Sequence, residues 1–231
     1  MGQQRGSTVP SGFGELDAVL PGGGWPAATL TELLLPHAGV GEMRLLVPAL
    51  ASVQALQRCV MLFDPPAMPF GWALHACGLD VQQLYVVQSR QLLRGPARGL
   101  LPAADVLWAL EQSLKCGHLG AVLAWLPARL PGDALRRLQL AAQAHDGPAF
   151  LLRDENMRSK PSPAQLRLLL RVGGPDELRV QLLKRRGPPL ARSLVLALPP
   201  VLAPPARERA LRRPVLVPAT SPTPAYFEAS R

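Results

Sequence analysis

The segment LTELLLPHAGVGEMRLLVPALASVQALQR, residues 30–58, decides the fold. It opens with six residues of strand length, passes through the turn-rich PHAGVG, and ends in a long apolar run typical of a helix. The order strand, glycine loop, helix is the local arrangement of phosphate-binding loops in α/β proteins. We therefore predict a buried strand at residues 30–35 and a helix that begins at residue 42.

The alternation of strands and helices continues beyond this segment. Compact apolar runs of strand length are separated by stretches with helical periodicity of about 10–15 residues, which implies βαβ units and a mostly parallel sheet. The predicted strands are residues 59–64, 84–89, 120–126 and 149–153. The predicted helices lie within residues 12–20, 65–78, 105–117 and 132–147.

The pattern changes after residue 154. A polar loop is followed by alternating runs at residues 164–172 and 178–187, which predict an antiparallel hairpin, and residues 192–199 can add one more strand. We divide the chain into a flexible N-terminus (1–9), a core (10–198) and a proline-rich tail (199–231) that is extended or disordered.

The tail ends in PAYFEASR, and its aromatic pair is a candidate anchor for a partner protein. Aromatic side chains carry much of the binding energy at protein interfaces, so Tyr226 and Phe227 are the candidate residues. An ordinary chain terminus is the alternative interpretation.

Composition restricts the class of protein. The net charge is +9 and the sequence pI is about 10.7, which favours phosphate-bearing partners or acidic protein surfaces, although a GC-rich genome produces the same arginine bias. The three cysteines show no CxxC or metal-ligand spacing, so we expect no metal and a reducing cytoplasm. The first residues resemble no signal peptide, and no apolar run reaches about 18 residues, so we expect a cytoplasmic protein without a membrane span.

The glycine loop lacks the chemistry of a nucleotide site. A functional loop follows G-x-x-x-x-G-K-[ST], in which Lys reaches the phosphates and the hydroxyl binds Mg²⁺. Here Gly39 and Gly41 are present, but Glu42 stands where Lys belongs and Met43 where Ser or Thr belongs. A carboxylate 4 Å from a phosphate charge costs about 4 kcal/mol at an effective dielectric of 20. We therefore expect no nucleotide cofactor.

Two further catalytic positions also lack a carboxylate. An Asp at the end of strand 120–126 would hold the metal, but Ala124 and Trp125 are there. A Glu soon after strand 59–64 would activate water, but Pro65 and Pro66 follow Asp64. We expect an α/β protein that retains the fold of a phosphate-loop protein, has no catalytic residues and is not an ATPase.

Several motifs, taken in order, resemble a known family. STVPSGFGELDAVLPGGGWP followed by TLTELLLPHAGVGE resembles the start of the RecA recombinase core, and the match continues through CVMLFDPP, LYVVQ, GAVLAWLP, AFLLR and LRVQLLKRRGPP. The combination of GFxELDxxLPGGGWP with PxxGVGE is similar to the ImuA family of RecA-like/SulA-like proteins associated with translesion DNA synthesis.

This resemblance implies a fold and a role. The fold is a RecA-like, P-loop NTPase-type α/β core with a mostly parallel sheet flanked by helices. The role is that of a non-catalytic accessory protein in SOS-induced, error-prone translesion synthesis, which acts as adaptor or regulator. The implied partners are ImuB, which is an inactive polymerase-like protein, an error-prone polymerase and RecA.

The resemblance also singles out basic residues. In recombinases the second DNA-binding loop follows the strand matching AFLLR, and here the short loop at that position carries Arg158 and Lys160. The run Lys184, Arg185, Arg186 falls where recombinases place lysines that reach the neighbouring protomer's nucleotide, so self-association is a further implied property. With no nucleotide expected, these cations are candidates for contact with an acidic partner or with DNA, and a solvated strand end is the alternative.

Two other functions stay open at this point. The chain could be a divergent, ATP-regulated DNA-binding paralogue of the recombinases, which requires Mg²⁺-dependent ATP binding. It could also be a cell-division inhibitor like SulA, which requires binding to a cytoskeletal GTPase.

Overall fold

The computed structural model describes residues 7–89, 103–188, 190, 192–201 and 204–212. The chain divides into two compact units, residues 1–199 and residues 200–231. The first unit contains every strand that is described, and the second contains one described helix.

Ten strands are present in the described part of the chain. They are β1 (Thr8–Val9), β2 (Trp25–Pro26), β3 (Leu30–Leu35), β4 (Cys59–Phe63), β5 (Leu84–Val87), β6 (Leu119–Trp125), β7 (Ala149–Asp154), β8 (Leu166–Gly174), β9 (Glu177–Lys184) and β10 (Leu194–Ala197). The helices are α1 (Gly14–Asp17), α2 (Glu42–Ala55), α3 (Gly71–Ala76), α4 (Ala103–Lys115), α5 (Ala134–Ala142) and, in the second unit, α6 (Pro204–Arg212).

Eight strands form one sheet in the order β10-β9-β8-β3-β7-β6-β4-β5. Strands β8, β3, β7, β6, β4 and β5 pair in parallel, while β9 and β10 add an antiparallel extension at one edge. The predictions of an α/β protein with a mostly parallel sheet and a C-terminal antiparallel hairpin are therefore confirmed. Strand β10 is the additional strand that residues 192–199 suggested.

The sheet is buried on both faces by aliphatic side chains. One core cluster lies under α2 and includes Leu33, Leu46 and Leu168; the other lies under α4 and α5 and includes Leu110 and Val122. Parallel strands covered on both faces read as near-continuous apolar runs, which is why LTELLL and GAVLAW could be recognised as strands without alternation. Trp25 and Phe150 stack edge to face in the first core, with ring centroids 5.2 Å apart.

The structure contains three short elements that the sequence did not predict. Thr8 and Val9, predicted to be flexible, pair with Pro26 and Trp25 in a small antiparallel sheet, because Trp25 is fully buried and draws this segment onto the core. Residues 155–159 of the predicted loop form a 3-10 helix, which the Asp154 side chain caps by accepting a hydrogen bond from the Asn156 nitrogen at 2.8 Å. In the predicted extended tail, residues 204–212 form α6.

Candidate functional site

The degenerate phosphate loop lies where β3 ends and α2 begins. Gly39 and Gly41 both adopt the left-handed backbone region, with φ of 85° and 115°. A Cβ at Gly41 would lie 2.8 Å from Leu198 Cδ1, so the loop is packed against the chain that leaves β10. The glycines thus keep the geometry that aims backbone N–H groups into the loop.

The side chain of Glu42 folds back over this loop. Its Oε1 accepts a hydrogen bond from the Gly39 nitrogen at 2.8 Å, and its Oε2 accepts one from the Gly41 nitrogen at 3.1 Å. Glu42 is only 3% exposed, and it is the first residue of a 14-residue helix, where the helix dipole favours a negative charge. The carboxylate therefore accepts the hydrogen bonds of the two amides that would otherwise be free to bind a phosphate.

Three residues that the sequence analysis singled out as lacking catalytic groups meet in one apolar groove beside Glu42. Met43, Pro66 and Trp125 all line a groove of about 370 Å³, together with Leu62 and Met68. These side chains carry no carboxylate or hydroxyl that could bind Mg²⁺ or activate water, and the Trp125 indole nitrogen has no hydrogen-bond partner among the described residues. The groove is chemically unlike a triphosphate site.

The carboxylate of Asp64, just before Pro65 and Pro66, is bound by Ser89. Asp64 follows β4 with a positive φ of 51°, and its two oxygens accept hydrogen bonds from the backbone nitrogen and the hydroxyl of Ser89, at 2.6 and 2.5 Å. Asp64 therefore ties the ends of β4 and β5 together.

A second, smaller cavity of about 230 Å³ opens at the carboxyl ends of the parallel strands. Its lining includes His37, Asp64, Trp125, Arg153 and Asp154. Within the residues that the structure describes, no group of three or more His, Cys, Asp or Glu side chains could hold a metal ion.

Three buried charged residues were not anticipated from the sequence. Glu32, in the middle of β3, is fully buried and forms ion pairs with Arg153 of β7 at 2.8 Å and with Arg167 of β8. Adjacent strands place the three side chains together, since Leu34 pairs with Arg153 and Glu32 with Arg167. A single acidic residue inside an otherwise apolar strand was the available signal, because buried charges are retained only when paired.

Arg167 also organises the loop that carries two of the candidate cations. Its guanidinium donates hydrogen bonds to the carbonyl oxygens of Met157 (2.9 Å), Lys160 (3.2 Å) and Arg158 (3.4 Å). The loop between β7 and β8 is therefore held against the buried ion pairs, while the side chains of Arg158 and Lys160 point into solvent.

The three residues of the basic run at the end of β9 differ in their contacts. Lys184 is exposed, and its Nζ donates to the Ser162 carbonyl at 3.0 Å, which brings it beside the loop of Arg158 and Lys160. Arg185 is instead committed to backbone carbonyls of Val19 (2.5 Å) and Pro188 (2.8 Å). Arg186 is exposed. The aromatic pair Tyr226 and Phe227 lies outside the described residues.

His145, next to the start of β7, is a buried histidine that the sequence did not single out. It is 2% exposed, and neither ring nitrogen has a hydrogen-bond partner among the described residues. Burial, reinforced by the positive charge of Arg58, lowers the pKa of His145 from 6.5 to about 4. The imidazole is therefore neutral near pH 7.

Two comparisons with known proteins found no match. Neither a family model nor a curated protein matches the chain. Among the described residues, none of the helices has both the length and the apolar character needed to cross a membrane.

Proposed function

We propose that this chain is a non-catalytic accessory protein of SOS-induced, error-prone translesion DNA synthesis. In this proposal its core is RecA-like, it works in the cytoplasm, and it serves as adaptor or regulator for an ImuB-like inactive polymerase, an error-prone polymerase and RecA. The named role comes from the motif resemblance of residues 7–42 and the segments that follow. The observation that carries the non-catalytic part is the Glu42 carboxylate on the Gly39 and Gly41 amides.

This arrangement opposes nucleotide binding in two ways. The carboxylate is part of the loop itself, so it competes with any free phosphate at the high effective concentration of an intramolecular ligand. A phosphate that entered while Glu42 stayed in place would meet like-charge repulsion of about 4 kcal/mol at 4 Å and an effective dielectric of 20. Binding a triphosphate therefore requires Glu42 to break its hydrogen bonds with the Gly39 and Gly41 amides.

The groove beside the loop supports the same proposal. A Mg²⁺-dependent site needs oxygen ligands, and Met43 and Trp125 offer none in the positions where such ligands belong. A RecA-like core that lacks these groups is suited to binding partners rather than to turning over ATP.

The first test is isothermal calorimetry of the full-length protein with Mg·ATP. We expect no saturable heat from the wild-type chain. A Glu42→Lys/Met43→Thr variant, which supplies the missing cation and hydroxyl, serves as the positive comparison and should acquire Mg²⁺-dependent ATP binding without hydrolysis. Mg²⁺-dependent ATP binding by the wild-type chain would overturn the proposal in favour of the ATP-regulated recombinase paralogue.

The second test is co-purification of the full-length chain with the three proposed partners from DNA-damaged cells. A Tyr226→Ala/Phe227→Ala variant tests the tail, and Pro222→Ala/Pro224→Ala is the matched control in the same segment. We expect the aromatic variant alone to lose a partner. Failure of wild-type protein to retain any of the three partners contradicts the adaptor role, and filamentous growth on overexpression would support the cell-division inhibitor instead.

A further inference from the structure

One face of the antiparallel extension is open to solvent and basic. Along β9, Leu178, Val180 and Leu182 point into the core, whereas Arg179 and Gln181 alternate onto the opposite face. Helices α4 and α5 lie on that face of the sheet over β6 and β3. Beside this helical layer the face exposes Arg171 and Arg179, whereas Leu169, two residues before Arg171 on β8, is buried.

Two arginines lie directly opposite each other on this face. Arg171 of β8 pairs in register with Arg179 of β9, and directly opposite residues of an antiparallel pair share a face. Both side chains are exposed, and Arg171 has one ionic partner, Glu155, at 2.8 Å. Like charges directly opposite destabilise a sheet, so this pair is better explained by an external anion than by folding.

More cations extend the surface along the strands. Arg167, four residues before Arg171, lies opposite Lys184 across a register irregularity of the β8–β9 ladder, so Lys184 is roughly 13 Å from the arginine pair at about 3.3 Å per residue. The exposed side chains of Arg158 and Lys160 project from the loop that Lys184 contacts through Ser162. We call the surface formed by Arg158, Lys160, Arg171, Arg179 and Lys184 the basic sheet face.

We propose that the basic sheet face binds the phosphate backbone of a nucleic acid. Strands β8, β9 and β10 contain no aromatic residue, so these strands offer no side chain on which bases could stack. They also lack the aromatic anchors around which protein interfaces are built. Flexible cations spread over about 13 Å match several backbone phosphates, because each strand of a duplex carries one phosphate per about 3.4 Å of helix axis. Binding is therefore electrostatic, sensitive to salt and indifferent to base sequence.

The loop cations are held in place by the buried ion pairs. Arg167 binds the carbonyls of Arg158 and Lys160 while its guanidinium is paired with Glu32. A fixed backbone reduces the conformational entropy lost when these side chains engage an anion. The carboxylates in the adjoining segments include Asp154, Glu155, Asp176 and Glu177, of which Glu155 pairs with Arg171 and Asp176 with Arg44.

This property adds a nucleic-acid contact to a proposed function that otherwise involves protein partners. It depends on the basic sheet face alone and not on Glu42 or on the tail. Loss of nucleic-acid binding would therefore leave the adaptor role standing, and failure of partner binding would leave the basic sheet face standing.

The test measures fluorescence anisotropy of labelled 30-nucleotide oligomers, oligo-dT, oligo-dA and a mixed duplex, with the full-length protein over a salt series. Arg171→Gln/Arg179→Gln/Lys184→Gln is the test variant. Lys115→Gln/Arg129→Gln/Arg136→Gln removes three exposed cations from other surfaces and is the matched control with the same net charge. We expect the test variant to bind about tenfold or more weakly and to lose about two units of the slope of log K against log[salt], while the control changes little.

Each remaining outcome is decisive. Equal losses in both variants, or a wild-type affinity that does not depend on salt, overturn the proposal. Full oligonucleotide affinity in the test variant, with loss of binding to polyglutamate, would assign the face to an acidic protein. If the triple variant fails to fold by circular dichroism, the single variant Arg179→Gln should lose about one third of the slope change, and its exposed side chain makes no hydrogen bond or ion pair with the described residues. Comparison of oligo-dT with the duplex distinguishes single-stranded from double-stranded nucleic acid.

Discussion

The Oε1 atom of Glu42 lies 2.8 Å from the backbone nitrogen of Gly39, so a residue of helix α2 closes the loop that precedes it. The second oxygen reaches the Gly41 nitrogen at 3.1 Å. In a phosphate-binding loop these amides would face a ligand. Here both amides donate to a carboxylate of the chain itself.

Replacing Glu42 should convert the loop into an anion site. In Glu42→Ala the two amides lose their acceptor, and the free energy of unfolding should fall by about 2 kcal/mol. Inorganic phosphate should then raise the Tm of Glu42→Ala more than that of the wild-type protein, because the variant adds two free amides to the surface cations that both proteins carry. Differential scanning fluorimetry with and without phosphate measures both effects, and Glu15→Ala, at an exposed carboxylate of α1, is the control. An equal phosphate shift in all three proteins would contradict the arrangement.

The two loop glycines should differ in their tolerance of alanine. The added Cβ of Gly39→Ala meets open space. The variant should therefore lower the free energy of unfolding only by the cost of its left-handed backbone, about 1–2 kcal/mol. Gly41→Ala has the same kind of backbone and also brings a Cβ to 2.8 Å from Leu198, so it should cost more. Urea unfolding of both variants gives the comparison. A smaller loss for Gly41→Ala than for Gly39→Ala would show that Leu198 does not pack on the loop.

The buried ion pairs of Glu32 should be sensitive to loss of the carboxylate. Glu32→Gln leaves Arg153 and Arg167 without their buried counter-charge and should lower the free energy of unfolding by about 3–5 kcal/mol. The combined variant Glu32→Leu/Arg153→Leu/Arg167→Met removes all three charges and should recover much of that loss, since an apolar replacement of a buried ionic group is often neutral. Chemical denaturation measures both, and a triple variant less stable than Glu32→Gln would argue that the charges stabilise the fold beyond their mutual pairing.

His145 should make stability depend on pH. Its pKa is about 4 in the folded protein and 6.5 when unperturbed, so the unfolded chain binds the proton first as the pH falls. The contribution of His145 to stability is therefore complete above pH 6.5, decreases between pH 6.5 and 4, and is constant below that window. About 2 kcal/mol should be lost between pH 7 and 5. Urea midpoints at the two pH values test this, and His145→Leu should remove most of the difference; an unchanged difference would place the titrating group elsewhere.

The strands of the parallel sheet could be predicted closely, and the buried charges could not. Residues 30–35 were recognised as a strand because both faces of the sheet are covered, which leaves an apolar run with glycine and proline after it. Arg153 and Arg167 are separated from Glu32 by 121 and 135 residues, and only strand pairing brings them together. Local pattern carries no information on contacts across such a separation in sequence, so the sequence alone cannot show that these residues form ion pairs.

Some features of the candidate site also follow from the sequence, and others follow only from the tertiary structure. The sequence alone determined that the loop lacks Lys and a hydroxyl, because residue identity at Glu42 and Met43 excludes that chemistry whatever the fold. It also determined the α/β class, because the spacing of apolar runs sets the order of strands and helices. Only the tertiary structure decided what Glu42 does instead, since the side-chain torsions that carry its oxygens to Gly39 and Gly41 are chosen by packing. It likewise split the run Lys184, Arg185, Arg186, because β9 ends at Lys184 and the side chains of Lys184 and Arg185 donate to different backbone carbonyls.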